Sequence, residues 1–120
     1  MTSYRTIKVN DGEIFYREGG DPAGGTLLLL HGFPSSSAQY DELIQRLAGS
    51  VHVIAPDYPG FGQSPPLSGT TTFERLADAV DAFTRAKALE RFSLYMFDFG
   101  APVLQSRAGG HVVWRAVKAP

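Results

Sequence analysis

The chain contains no cysteine. That excludes disulfides, thiol nucleophiles and thiolate metal sites together. Long apolar runs are also missing. The run at residues 27–30 falls far short of the roughly 20 residues that a membrane-spanning helix needs. The N-terminal stretch MTSYRTIKVNDGE has no apolar core, so no signal peptide is expected there. Charge of one sign is scarce, with a formal net charge of −1. Neither nucleic acid nor an anionic membrane is therefore an expected partner. No repeat occurs at solenoid periods. What is present is a 43% hydrophobic chain of 120 residues, which fits one globular domain. A cytoplasmic location is the expectation.

Hydrophobic spacing divides the chain. Residues 4–9 and 13–17 flank the turn signal "NDG", which predicts an antiparallel hairpin. "TLLLL" and "VHVIAP" read as strands buried on both faces, and "RFSLYMF" as a third. Tyr40, Leu43, Ile44, Leu47 and Ala48 recur at helical spacing, with Ser36 and Gln39 as capping box and Gly49 as stop. Thr71 and Glu74 form a second capping box, before the stripe Phe73, Leu76, Ala77, Val80 and Phe83. A hairpin followed by strand, helix, strand, helix, strand makes an α/β fold whose later strands run parallel through crossover helices. Ligands bind such sheets beyond the carboxyl ends of the strands.

Three loops lie at that edge. The first, "HGFPSSS", puts His31, Gly32 and Phe33 directly after a buried strand. Glycine at 32 permits close backbone approach to a ligand. His31 is expected to brace the loop by hydrogen bonding. The second, "DYPGFGQSPP", has a glycine pair at Gly60 and Gly62. A dinucleotide fingerprint needs a helix opening at its glycines, and Pro65–Pro66 argue against one. A tight surface loop is expected, with Asp57 bonding nearby backbone amides. The third holds Asp98 between Phe97 and Phe99, before Gly100. A carboxylate at a strand-to-helix turn faces helix N–H groups that favour an anion, while the phenylalanines desolvate it. Such a group suits a nucleophile, and it equally suits a helix N-cap.

Together the three loops resemble the N-terminal half of an α/β-hydrolase, over roughly residues 4–103. "LLLLHGFPSSS" is similar to that family's oxyanion loop, and "VIAPDYPGFGQSPP" to its D-x-x-G-x-G-x-S segment. "LYMFDFGAPV" sits where the nucleophile elbow belongs. No G-x-S-x-G occurs. Aspartate at the elbow looks like the branch of epoxide hydrolases and haloalkane dehalogenases. The resemblance implies Asp98 as nucleophile and the backbone N–H groups of Phe33 and Phe99 as oxyanion donors. His31, Gly32 and Gly100 would support the loops. The substrate would be a small electrophile, an epoxide or haloalkane, hydrolysed through an aspartyl ester. No metal or organic cofactor is implied.

Some features depart from that pattern. Many members of the branch follow the aspartate with tryptophan, which holds a halide; Phe99 has no ring N–H. The histidine base and its acidic partner should come late in the chain, yet the only later histidine is His111. His111 and the strand residue His52 are both poor candidates for the base. Residues 104–120 carry Arg107, Arg115 and Lys118 and no acid, and Gly109–Gly110 interrupts the expected helix. This tail is expected to be out of frame or unrelated, on a truncated and impaired enzyme. The alternative is a short strand, "HVVWRAV", after a Gly-Gly turn. Truncation would expose the edge at residues 92–97 and invite self-association. A non-catalytic fragment or interaction module, with Asp98 as N-cap, is the rival reading.

Overall fold

In the computed structural model, the structure describes residues 2–9, 12–31, 35–89, 91–96 and 113–117. β1 (Ser3–Val9) and β2 (Gly12–Gly19) pair antiparallel from Ser3 opposite Glu18 to Val9 opposite Gly12. The hairpin predicted around "NDG" therefore forms, although Asn10 and Asp11 lie outside the described residues. β2 pairs antiparallel with β4 (His52–Pro56), placing Tyr16 opposite Pro56. β3 (Thr26–Leu30) runs parallel to β4 on one side and to β5 (Arg91–Met96) on the other. β6 (Val113–Val117) runs parallel to β5, and the sheet order is β1-β2-β4-β3-β5-β6.

The last pairing corrects one expectation. The outer side of β5 is not an open edge, because β6 covers it from Arg91 opposite Val113 to Tyr95 opposite Val117. The short-strand alternative for the tail holds over Val113–Val117. The sequence left the strand as an alternative because the basic segment after the Gly-Gly break departs from the helix expected there. A parallel pair also needs a long crossover, which hides the partner from local inspection.

Among the described residues two α-helices cover the sheet. α1 (Asp41–Leu47) follows a 3₁₀ turn at Ser37–Tyr40, and the Ser36 hydroxyl accepts from Ala38 N–H (3.1 Å). The predicted cap is thus present, but it opens the tighter turn. α2 (Phe73–Ala86) is capped by Thr72, whose hydroxyl accepts from Arg75 N–H (3.1 Å). The cap lies one residue beyond the predicted Thr71. Leu76, Ala77, Val80 and Phe83 are buried as their spacing requires; the Phe73 side chain lies outside the description.

Each helix closes a core on its own face. On the α2 side are Ile14, Leu28, Leu30, Ile54 and Leu94; on the α1 side are Leu29, Tyr40, Ile44, Val53 and Ala55. Neighbouring leucines of β3 thus point to opposite cores, which is why "TLLLL" has no polar face. Among the described residues no helix is long and apolar enough to cross a membrane.

Candidate active site

The site is built where β3 and β4 end. Leu30, the last residue of β3, lies opposite Met96, the last residue of β5. His31 follows Leu30, and Asp98 comes two residues after Met96. Tyr40 secures the end of β3, its buried hydroxyl donating to Leu30 C=O (2.7 Å). Burial, with Tyr95 beside it, pushes the Tyr40 hydroxyl pKa well above its usual value.

His31 is fully buried, its ring against Tyr58 (centroids 4.4 Å) and Phe61 (5.5 Å). Its Nε2 accepts from Tyr58 N–H (3.2 Å), so that nitrogen carries a lone pair and the bond reaches into the second loop. Burial also pushes the Tyr58 hydroxyl pKa upward. The histidine predicted to brace its loop therefore joins two loops.

Asp57 makes a second junction. Its carboxylate is fully buried. Oδ1 accepts from Ser37 N–H (2.6 Å) and Oδ2 from Gln63 N–H (2.8 Å). The expected turn carboxylate is thus correct for Gln63, six residues on. The bond to Ser37 crosses to the first loop and was not legible from spacing. Ser64 fixes the backbone at this point: its hydroxyl donates to Asp57 C=O (2.8 Å) and accepts from Phe15 N–H (2.9 Å). Gly62 explains itself here. Its φ is +52°, and a Cβ would lie 2.3 Å from Asp57 Oδ2. The turn at Gly60 and Gly62 opens no helix, in accord with a tight loop.

Arg17 is a functional neighbour that sequence reasoning missed. Its Nε donates to Ser37 Oγ (2.9 Å) and its Nη1 to Asp41 Oδ1 (2.8 Å). The guanidinium also lies over the rings of Tyr4 (5.0 Å) and Phe15 (5.5 Å). Ser37 is therefore gripped through both backbone and side chain. A single arginine in an alternating strand gives no sequence signal for this.

His52 belongs elsewhere, at the opposite ends of the strands. It is buried, bonded through Nε2 to Glu18 and through Nδ1 to Thr26 Oγ1 (2.9 Å). Lys87 Nζ donates to the other Glu18 oxygen (3.2 Å). Burial raises the Glu18 carboxyl pKa, but His52 and Lys87 outweigh it and hold it below the usual range. A groove of about 270 Å³ between the hairpin, the second loop and α2 touches none of His31, Ser37 or Asp57. It takes no part in the site. Among the described residues no cluster of three or more His, Asp or Glu side chains could hold a metal. Gly32, Phe33, Asp98, Phe99, Gly100 and His111 lie outside the described residues.

Known proteins resemble this chain in sequence and fold. Residues 25–106 match the family described as alpha/beta hydrolase fold. An uncharacterized hydrolase of Saccharomyces cerevisiae is 42% identical over 105 residues, covering 86% of this chain and 36% of its own length. The 1H-3-hydroxy-4-oxoquinoline 2,4-dioxygenase of Pseudomonas putida is 32% identical over 96 residues, covering 80% of this chain and 36% of its own. Among solved structures, the haloalkane dehalogenase DbeA from Bradyrhizobium elkani superposes with a TM-score of 0.86 at 28% identity. That match covers 97% of this chain and 41% of the dehalogenase. The chain spans little more than a third of the length of these two curated relatives.

Proposed function

Since this chain belongs to the α/β-hydrolase fold family, we propose that it carries the nucleophile half of an aspartyl-ester hydrolase acting on a small electrophile. Relatives of different chemistry share the fold, so the site has to argue the reaction. The observation that carries the reading is the register of β3 with β5. Leu30 opposite Met96 puts the ends of β3 and β5 side by side, and in the sequence Phe33 follows the one and Asp98 the other. In the reaction, one Asp98 carboxylate oxygen attacks a ring carbon of an epoxide. The carbon–oxygen bond of the ring breaks, and the alkoxide takes a proton from water. The product is a hydroxyalkyl ester of Asp98. Water then adds to the ester carbonyl, with the N–H groups of Phe33 and Phe99 receiving the oxyanion. Its collapse breaks the acyl–oxygen bond, a proton of the water passes to the departing oxygen to give the diol, and the Asp98 carboxylate is restored. Epoxides suit the site better than haloalkanes, because the Phe99 ring offers no N–H to a departing halide.

The second step needs a general base. His31 is committed to Tyr58 N–H, and His52 sits at the far end of the strands. Neither of these described histidines is placed for that role, and the ester is expected to form and to be released slowly. Incubation with 4-nitrophenyl glycidyl ether, followed by intact-protein mass measurement, tests this. One adduct is expected on the wild-type chain and none on Asp98→Asn, with the melting temperature little changed. An N-cap tolerates that substitution as well. Equal labelling of both proteins, or of neither, contradicts the reading and favours the non-catalytic module.

A further inference from the structure

The segment between His31 and Ser37 is held at both ends by adjoining residues of the other loop. Tyr58 N–H meets His31 Nε2 (3.2 Å), and Asp57 Oδ1 meets Ser37 N–H (2.6 Å). Gly32 and Phe33 lie in the chain between these two anchors. From this we propose that Asp57 is a positioning residue that sets the first loop for the oxyanion. The inference rests on the reading of Asp98 and Phe33 given above.

The chemistry of the carboxylate matches the role. An ionised carboxyl accepts through both oxygens and donates through neither. Asp57 meets two N–H donors, from Ser37 and from Gln63, one at each oxygen. It thereby closes the second loop on itself and locks it to the first. Its own backbone is tied to β2, since Asp57 N–H donates to Phe15 C=O (2.8 Å) and Ser64 bridges the same two residues. The anchor therefore stands on a strand of the sheet. Arg17 holds Ser37 from the other side, through Oγ. An oxyanion donor acts only when it is fixed before the charge develops, and misplacement by about 1 Å costs up to two orders of magnitude in rate.

Asparagine has the same shape but only one acceptor oxygen. Asp57→Asn would set an NH2 group against one of the two N–H donors and loosen one junction. The experiment follows breakdown of the Asp98 ester. Protein alkylated with 4-nitrophenyl glycidyl ether is freed of reagent and held at about pH 9, where hydroxide itself attacks the ester. Loss of adduct mass is then timed. Asp57→Asn is expected to label at the wild-type rate, because in alkylation the negative charge develops on the epoxide oxygen and not on the Asp98 carbonyl, and to lose its adduct about tenfold more slowly. Gly62→Ala keeps the carboxylate but pushes a methyl into Oδ2, and is expected to act in the same direction. Phe83→Leu, a buried change on α2, should lower the melting temperature without altering the decay. Normal labelling with wild-type decay in both Asp57→Asn and Gly62→Ala overturns the role of Asp57 alone. Slowed decay in Phe83→Leu as well reduces it to general stability and overturns it too. Absence of any adduct on the wild-type chain sinks the reading of Asp98 and this inference with it.

Discussion

Glu18 and Asp57 are both carboxylates withdrawn from water, and their partners differ. Asp57 meets backbone amides, whereas Glu18 meets the side chains of His52 and Lys87. Glu18 thus answers to pH. Its carboxyl is held below the ordinary range in the folded chain. A group depressed on folding contributes stability above its unfolded pKa and loses it as pH falls through the folded value. Glu18→Gln should therefore cost about 1–3 kcal/mol near neutral pH, because Lys87 and His52 lose a charged partner. The gap to wild type should close on acidification below the ordinary carboxylate range. Urea unfolding of both proteins at stepped pH checks this. A gap that stays constant into acid would show that Glu18 contributes through shape alone.

At the scale of elements, the cap of α2 gives a clean comparison. Thr72 bonds Arg75 N–H, while Thr71 was the residue singled out by its spacing from Glu74. Thr72→Ala is expected to cost about 1 kcal/mol and Thr71→Ala almost nothing, read from denaturant midpoints. The reverse order would move the helix start back by one residue. The two adjacent threonines show why the sequence was ambiguous here: both fit a cap, and tertiary packing chooses. The hairpin, the three inner strands and the α2 stripe were legible because burial imposes a period on each. Ser36 was legible as a cap, but the 3₁₀ turn after it was not, since hydrogen-bond pattern leaves little trace in hydropathy. β6 was obscured by its distance from β5 along the chain. Of the site, His31 and Asp57 were legible as loop-bracing residues. The links Asp57–Ser37 and Arg17–Ser37 were not, because each joins residues 20 apart in sequence.

At the scale of the molecule, the described residues form a six-stranded sheet in which β3 and β4 lie inside and carry the two interlocked loops at one end. Its open edges belong to β1 and β6 among the described strands. The ionic cluster of Glu18, His52 and Lys87 occupies the other end, so substitutions there should change stability and leave the proposed chemistry alone. That chemistry depends on the route of one oxygen atom. If an Asp98 ester is the intermediate, water attacks the carboxyl carbon, and the oxygen delivered to the product comes from the protein. The alkylated chain should therefore be allowed to release its diol in water enriched in oxygen-18, with both products then analysed by mass. The account predicts heavy oxygen in the peptide containing Asp98 and ordinary oxygen in the diol. Heavy oxygen in the diol, with an unlabelled peptide, would mean that water attacks the alkyl carbon instead of the ester carbonyl and would contradict the proposed hydrolysis of the aspartyl ester.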